Sequence, residues 1–395
     1  MRKSFLILLY GLFLFATTPV AADDYPMDED DIVTYILTQT SGKKEVYIER
    51  NAVRQFIDDK SYDDPSKTRN YSYSIVKNYS KGVPSTPMGI LLDWDSSTPT
   101  NLIREVVVTL VEEGDLHGEK RQQKKVVRHY YPDINNTEYF LSNMCPNKSY
   151  SYTIEEVLQD GRKKVQGRGE FFTTGQVRML AVGGMANVRD FGGWKTSFGT
   201  EIVYGRLYRG NRPDVITAAG KNDFVKNERI TADLDLRGKD LGSSPFGPEV
   251  RYYCTNNRRY KSALTSQTSI LVRDLDIIAD ELSRGGNLFL HCNHGANRAG
   301  TLSFLIGGIL GMSEVNLSKD YELSAFAYSF ISRSKTYGEM LPVIRSHGEP
   351  GDDLAQCFYN YARHIGTSEK TLDTIRCIML GLSPNDPRIL KAHKN

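Results

Sequence analysis

The chain has 395 residues, enough for two or three domains, and 50 basic against 48 acidic side chains give it a formal net charge of +2. Because that balance creates no strong overall field, we expect no binding to nucleic acid. Five cysteines without regular spacing predict no disulfide framework, and the odd number leaves at least one thiol unpaired. His291 and His294 flank Cys292, but no second pair of ligands follows at zinc spacing, so we expect no metal site.

The first 22 residues, MRKSFLILLYGLFLFATTPVAA, combine a basic tip, an apolar stretch and small residues at their end. This pattern is typical of a cleaved secretory signal, with the cut after Ala22. The apolar stretch is too short to span a bilayer comfortably, and no later segment approaches that length. We therefore expect an exported protein, periplasmic or secreted, with no membrane span once the signal has been removed.

Residues 23–80 receive no domain assignment. They contain an acidic stretch, DDYPMDEDD, and a polar linker, DDKSYDDPSKTRN. Between these two stretches, residues 51–59 are predicted to form one or two helical turns.

Residues 81–175 have the pattern of β-strands separated by turns. The predicted strands are MGILLDWD, LIREVVVTLVEE, KKVVRHYYP and YSYTIEEVLQDGRKKVQGRGEFFTT. Trp94 on the first strand, and Tyr150 in the run MCPNKSYSYTI, stand at positions similar to the tryptophan and the tyrosine corner of β-sandwiches. This part resembles a fibronectin type III or related immunoglobulin-like module, which implies an all-β sandwich acting as a spacer or as a site for a protein partner. Some other small antiparallel domain is the alternative.

From residue 176 to the end of the chain, strands alternate with helices. ITADLDL and NLFL are short apolar strands, and SILVRDLDIIADELSRGGN carries its apolar residues at helical spacing. A further helix, ANRAGTLSFLIGGILG, is expected to stop at Gly311. The later helices are NLSKDYELSAFAYSFISR, DDLAQCFYNYARHIG and SEKTLDTIRCIML. This alternation predicts an α/β domain with a parallel sheet flanked by helices, and with its sites at the carboxyl ends of the strands.

The stretch HCNHGANRAGT places Cys292 directly after a predicted strand and Arg298 at the start of the following helix. A thiolate is the attacking form of cysteine, and a free thiol with a pKa of about 8.5 is mostly protonated at neutral pH. Inward-facing loop amides and a helix N-terminus stabilise the thiolate and bind phosphate oxygens, while an arginine adds two parallel bonds. Gly295 permits the tight turn around an anion. The alternative is a buried thiol beside a surface arginine.

The same loop resembles the signature loop of the cysteine-dependent phosphatases, His-Cys-x-x-Gly-x-x-Arg. Upstream of it, NVRDFGGW, GRLYRGNRPDVITAAG and LDLRG are similar to successive blocks of the bacterial atypical tyrosine-phosphatase family, and LSKDYELSAF downstream also fits. The resemblance runs over residues 187–380. It implies a phosphatase-like α/β fold, a phosphocysteine intermediate, and neither a metal nor an organic cofactor.

The resemblance also assigns roles to individual residues. Cys292 would be the nucleophile, Arg298 would clamp the phosphate, and Asp235 would face the pocket as a catalytic carboxylate. The phosphate would be held by the loop residues His291, Asn293, His294, Gly295, Ala296, Asn297 and Arg298, with His291 also orienting the loop and keeping the thiol ionised. Support or substrate contact would come from Asn187, Arg189, Asp190 and Thr301. Two alternatives stay open, namely that Arg189 and Asp190 form a local ion pair bracing a Gly-Gly turn, and that Asp235 caps the turn after its strand.

Two loop positions depart from the family pattern. Close relatives usually carry Asp at the position of Asn297, where it is the usual candidate to protonate the leaving oxygen. They also carry Ser or Thr at the position of Ala299, whose hydroxyl stabilises the thiolate when it leaves in the second step. Because Asn cannot transfer a proton, we expect the rate of hydrolysis to lose the contribution of general acid catalysis, which is about 10²–10⁴-fold. A phenolate, whose acid has a pKa of about 10, leaves more easily without help than an alkoxide does. Asp235, Asp190 or Asp240 would be the substitute acids, and Thr301 the substitute hydroxyl.

Three functions follow from these observations. The first is a slow protein tyrosine phosphatase that prefers aryl phosphates. The second is a phosphate-binding module that has lost turnover, which Asn297 and Ala299 favour. The third, a phosphatase of small phosphorylated metabolites such as inositol phosphates, ranks last because the loop lacks the extra lysines usual in such enzymes.

Overall fold

The computed structural model describes residues 35–36, 44–60, 79, 87–113, 126–328 and 336–391. The predicted secretory signal and the acidic stretch after it lie outside these ranges. Within them, no helix combines the length and the apolar character that crossing a membrane requires. All five cysteines are described, and each of them is a free thiol.

The described residues form strands and helices that we number in chain order. The strands are β1 (Tyr35–Ile36), β2 (Lys44–Tyr47), β3 (Ile90–Asp93), β4 (Ile103–Glu113), β5 (Val126–Tyr130), β6 (Glu138–Leu141), β7 (Ser149–Leu158), β8 (Lys163–Thr174), β9 (Arg189–Asp190), β10 (Leu207–Gly210), β11 (Ile230–Asp235), β12 (Arg251–Cys254) and β13 (Asn287–His291). The helices are α1 (Asn51–Asp58), α2 (Ala218–Asn222), α3 (Lys261–Ser266), α4 (Thr268–Ser283), α5 (Arg298–Ile309), α6 (Glu314–Glu322), α7 (Ser324–Ala327), α8 (Thr336–Arg345), α9 (Leu354–His364), α10 (Glu369–Leu380) and α11 (Pro387–Leu390).

The sheet of the α/β part has five strands in the order β12–β11–β13–β10–β9. The first four are parallel and β9 runs antiparallel at one edge. Strand β13 is covered on both faces, because Leu288 and Leu290 enter one core cluster while Phe289 enters another. A parallel strand buried on both faces reads as a continuous apolar run, which is how NLFL appeared in the sequence. The predicted α/β domain is confirmed, but its sheet is mixed and not purely parallel, because β9 pairs antiparallel with β10.

Helix α5 follows the signature loop and is buried all round. Every residue from Ala299 to Ile309 is buried, as expected of a helix without a polar face. Small residues let its neighbours approach, since a Cβ added at Gly308 would lie 2.2 Å from the ring of Phe358 on α9. The helix ends just before Gly311, which has a φ of +81°. The core of the domain therefore fixes the helix whose first residue is Arg298.

The N-terminal half contains two further sheets. One has the order β2–β8–β7–β4–β5 and the other β1–β3–β6, and Trp94, Ile90 and Val108 belong to one core cluster between these strands. The Tyr150 hydroxyl accepts a hydrogen bond of 2.9 Å from the backbone N–H of Cys145, the type of contact that a tyrosine corner makes. The predicted strands are present, and the fibronectin-like assignment stays a prediction.

The segment left unassigned in the sequence takes part in both halves of the molecule. Its strand β2 pairs in parallel with β8, whereas Val53, Phe56 and Ile57 of helix α1 belong to the large core of the α/β part. The predicted boundaries at residues 80 and 175 stay predictions. Helix α1 precedes both of them in the chain, yet it packs in the core of the α/β part that follows them.

A fully buried arginine joins the two halves. Arg178 Nε donates to the carbonyl of Met144 at 3.2 Å, and its Nη atoms bind the carboxylates of Asp190 at 3.1 Å and Glu228 at 2.8 Å. Both carboxylates lie on the α/β side of the junction, and Met144 lies on the β side. Because an unpaired buried charge is costly, this set of partners favours one fixed arrangement of the halves.

Candidate active site

Cys292 and Arg298 lie at the two ends of one loop at the carboxyl edge of the parallel sheet. Cys292 follows the last residue of β13 and is 4% exposed. Arg298 is the first residue of α5, is half-buried, and donates from Nη1 to the carbonyl of Leu236 at 3.2 Å. That carbonyl comes directly after β11, the neighbouring strand. The fold therefore brings both ends of the loop to the edge where the sequence predicted a site.

Three consecutive carbonyls of the loop accept hydrogen bonds from donors outside it. The bonds run from the backbone N–H of Arg212 to Asn293 at 3.4 Å, from Asn187 Nδ2 to His294 at 2.9 Å, and from Arg209 Nη2 to Gly295 at 2.9 Å. In a planar trans peptide the C=O and the following N–H point in opposite directions. The N–H groups of the next three residues, His294, Gly295 and Ala296, are therefore directed away from those donors, to the inner side of the loop. Successive N–H groups of this kind at a helix N-terminus form an anion-binding concavity.

Gly295 is the point where the loop presses against β10. Its φ is +67°, and a Cβ built on it would lie 2.3 Å from the carbonyl carbon and oxygen of Gly210. Only glycine satisfies both the left-handed backbone and this close approach. The role of Gly295 is thus geometric, as the sequence suggested.

The donors that hold the loop are themselves fixed by one carboxylate. The Asp320 carboxylate on α6 accepts hydrogen bonds from Arg189 Nε at 3.2 Å and from Arg209 Nη1 at 2.7 Å. Arg189 also donates to Asn187 Oδ1 at 2.7 Å, which leaves the amide group of Asn187 to donate to the loop. Asn187, Arg189, Arg209 and Asp320 are all buried. Asn187, which was expected to support the site, bonds directly to the loop. Arg189, expected to do the same, bonds to Asn187 and so holds the loop indirectly.

His291 lies beneath the loop on the other face of β13. Its Nε2 is 3.0 Å from Asp233 Oδ1, and its ring stacks on Phe289 with centroids 5.6 Å apart. Both His291 and Asp233 are fully buried. Because side chains alternate along a strand, this ring is directed to the Phe289 side, whereas Cys292 packs with the core that contains Leu290. The His291 side chain is thus directed away from the face that carries Cys292, and its expected part in the phosphate loop stays a prediction.

Asp235 is fully buried, and its carboxylate is surrounded by donors. It accepts bonds of 2.8–3.0 Å from the Arg237 backbone and guanidinium and one of 3.2 Å from the Tyr252 hydroxyl. The backbone bond closes the turn after β11, which is the alternative role that the sequence left open. All of these groups donate to Asp235, and its role as a catalytic carboxylate stays a prediction.

Asp190 is directed away from Arg189, because the two occupy successive positions of β9. It accepts bonds from the backbone N–H groups of Gly192 at 2.9 Å and Gly205 at 2.7 Å, in addition to its pair with Arg178. Burial raises the pKa of Asp190 to about 6 despite the neighbouring guanidinium. The Arg189–Asp190 ion pair, which the sequence left open as an alternative, is not among these contacts, because Asp190 binds Arg178 and the Gly-Gly turn on the face opposite Arg189. The expected role of Asp190 in supporting the site stays a prediction.

Thr301 supports the end of the loop through its hydroxyl. The Oγ1 atom donates to the carbonyl of Asn297 at 2.9 Å and accepts the backbone N–H of Tyr260 at 2.9 Å. Its proton is therefore committed to Asn297 and is not available to stabilise a departing thiolate. The side-chain oxygen of Asn297 is buried without a hydrogen-bond partner, and Ala299 is fully buried.

Several residues near the loop were not singled out in the sequence, although all but Tyr328 lie inside the quoted blocks GRLYRGNRPDVITAAG and LSKDYELSAF. Arg209, Arg212 and Asp320 hold the loop or its supports, as described above. Tyr328 lies edge-on to His294, with ring centroids 5.3 Å apart. Burial raises the pKa of Tyr328, and a negative charge on Cys292 raises it further.

Asp214 is a partly exposed carboxylate two residues after Arg212, whose backbone N–H bonds to the loop. It binds Arg237 Nη1 at 2.7 Å, and its side chain is 26% exposed. Partial burial raises its pKa, but the hydrogen bond and charge of Arg237 outweigh burial and leave the pKa below its usual range. An acid that holds its proton so weakly is a poor replacement for the missing loop aspartate.

The sequence model of the tyrosine phosphatase family matches residues 180–380, just over half of the chain. This range contains the whole parallel sheet, the loop from Cys292 to Arg298 and the residues that hold it. No curated protein matches the chain.

Replacing Gly295 with alanine is expected to disrupt the anion cradle. The new Cβ meets Gly210 and forces the loop from its position, so the affinity for tungstate should fall at least about tenfold. Gly199→Ala is the matched control, because Gly199 also has a positive φ, +73°, but no atom lies within 4 Å of its Cβ position. Titration calorimetry with tungstate measures both. Equal affinities for the two variants would contradict the steric argument.

Proposed function

This chain belongs to the tyrosine phosphatase family, and we propose that it hydrolyses aryl phosphate esters, phosphotyrosine above all, through a phosphocysteine intermediate on Cys292. The observation that carries the proposal is the set of three loop carbonyls bound from outside. Peptide planarity then directs the next three N–H groups to the inner side of the loop that begins at Cys292. A phosphoryl group carries its charge on oxygens that such N–H groups and the Arg298 guanidinium would bind.

In the first step the Cys292 thiolate attacks phosphorus, so that an S–P bond forms as the P–O bond to the aryl group breaks. The electron pair of that bond leaves on the phenolate oxygen, which takes a proton from solvent. In the second step water attacks the phosphocysteine, the S–P bond breaks, and the thiolate and inorganic phosphate are released. The loop amides and Arg298 would stabilise the charge on the three equatorial oxygens in both steps.

The preference for aryl esters follows from the groups around the leaving oxygen. Asn297 holds the position of the family's acid and has no proton to transfer. Asp235 is saturated by donors, and the lowered pKa of Asp214 disfavours it as an acid. Without a general acid, a phenolate departs far more readily than an alkoxide, whose conjugate acid is much weaker.

Aromatic side chains beside the loop also support an aryl substrate. The rings of His294 and Tyr328 meet edge to face, and His294 is a residue of the loop between Cys292 and Arg298. A phenyl ring entering beside them would gain the offset or edge-to-face contacts that aromatic groups prefer. An exported location, and a protein partner for the β part, belong to this proposal as well.

A second candidate is a phosphate-binding module with little or no turnover. Asn297 and Ala299 favour it, because each lacks the functional group used in one of the two chemical steps. The fully bonded hydroxyl of Thr301 favours it too, since this hydroxyl cannot replace the one missing at Ala299.

The full chain under reducing conditions is expected to hydrolyse p-nitrophenyl phosphate and a phosphotyrosyl peptide faster than a phosphoseryl peptide or inositol hexakisphosphate. Cys292→Ser should lower the rate on the aryl esters by about 10³-fold or more, because an alcohol replaces the thiolate nucleophile. Cys377→Ser, a half-buried thiol on α10, is the matched control and should retain full activity. Undiminished turnover by Cys292→Ser would remove the proposed nucleophile.

Asn297→Asp is expected to restore the missing acid. Hydrolysis of alkyl phosphates should rise by about 10²-fold, more than that of aryl phosphates, because protonation matters most for the poorer leaving group. Asn293→Asp places the same charge at an exposed position of the loop and should give no such gain. Steady-state rates over a series of leaving groups test this. If Asn297→Asp changed neither the rates nor their dependence on the leaving group, a different acid would already be at work.

A further inference from the structure

Residues 319–328, which we term the bridging segment, contact helix α1 on one side and the supports of the signature loop on the other. The segment includes the end of α6 and the whole of α7, and its residues from Lys319 to Phe326 are buried. Helix α1 precedes it by some 260 residues and follows β2 in the segment that received no domain assignment in the sequence. No motif in the sequence pointed to this contact.

On the side of α1, the contact is a buried cation at the end of a helix. Lys319 is 4% exposed, and its Nζ donates to the carbonyls of Ile57 at 2.6 Å and Asp59 at 3.0 Å. A positive charge at a helix C-terminus is stabilising, and the carbonyls in turn satisfy an ammonium that is removed from water. Phe56 and Phe326 add an apolar contact, with ring centroids 5.6 Å apart.

On the side of the loop, the same segment supplies three anchors. The Asp320 carboxylate holds both Arg189 and Arg209, and Arg209 donates to the Gly295 carbonyl. Ser324 Oγ accepts a bond of 3.1 Å from Asn187 Nδ2, the group that also donates to the loop. Tyr328 then packs on His294 at the end of the segment.

Lys319 and Asp320 are adjacent in sequence, so the two sets of contacts cannot move independently. We propose that helix α1 is a positioning element of the signature loop, acting through the bridging segment. Docking of α1 fixes Lys319 and Phe326 of the bridging segment. The segment in turn places Asp320 and Ser324, which hold the side chains that donate to the loop carbonyls. The inference rests on the proposed function only where activity is the readout.

The test compares Phe56→Ala and Lys319→Met with the parent, all in the full chain. Two quantities are measured, namely the dissociation constant of tungstate by calorimetry and the pH midpoint for alkylation of Cys292 by iodoacetamide. We expect both variants to bind tungstate at least about fivefold more weakly. The alkylation midpoint should rise by about one pH unit, because a displaced loop stabilises the thiolate less. The KM for an aryl phosphate should rise in parallel.

Two further variants separate positioning from general loss of structure. Lys319→Arg retains the charge and should restore most of the tungstate affinity. Arg54→Ala removes a side chain from α1 that lies over the Tyr47 ring at 4.4 Å and bonds to Asn51, so it should change neither quantity. Should Phe56→Ala not fold, Phe56→Leu takes its place, because it keeps an apolar side chain in the core but loses the ring contact with Phe326, and it should weaken tungstate binding in the same direction.

The inference is overturned if the folded Phe56 and Lys319 variants keep the tungstate affinity and the alkylation midpoint of the parent. Failure of the proposed function would look different. In that case the parent would not hydrolyse aryl phosphates, yet tungstate binding and thiol alkylation would still report on the position of the loop. A parent that turns over, with variants that do not respond, would reject only the role of α1.

Discussion

The site depends on one constraint, which is that the carbonyl side of the signature loop is bound from outside. Asn187 and Arg209 hold the carbonyls of His294 and Gly295, and peptide planarity then decides where the neighbouring N–H groups point. The loop is thereby arranged before any anion arrives, so binding does not have to order it. Preorganised donors of this kind are the largest single source of stabilisation in many active sites.

Holding the loop in this way requires several charges to be buried. Arg209 shows why the residue is an arginine, since one Nη reaches Asp320 at 2.7 Å and the other reaches the Gly295 carbonyl at 2.9 Å. A lysine ammonium lacks the planar fork that spans both partners in a fixed geometry. Buried ion pairs contribute little net stability because desolvation offsets their attraction. Their value here is positional, as they place a loop in one conformation.

Much of this arrangement was predictable from local patterns. The strand–loop–helix order around Cys292 and Arg298 and the glycine in the turn were visible because each depends on residues close in sequence. The supports were not, because Asp320 meets Arg209 across 111 positions of the chain and Asn187 meets His294 across 107. Nothing in the local pattern of residues 51–59 indicated that this helix enters the α/β core. The position of this helix is decided by tertiary packing, which no local sequence pattern encodes.

The most direct measurement is a crystal structure of the full chain with vanadate. The account predicts a vanadium centre bonded to Cys292 Sγ, with its equatorial oxygens on the N–H groups of His294, Gly295 and Ala296 and on the Arg298 guanidinium. The carbonyls of the loop would keep their bonds to Asn187 and Arg209. Vanadate bound elsewhere, or a loop whose carbonyls face the anion, would contradict the account.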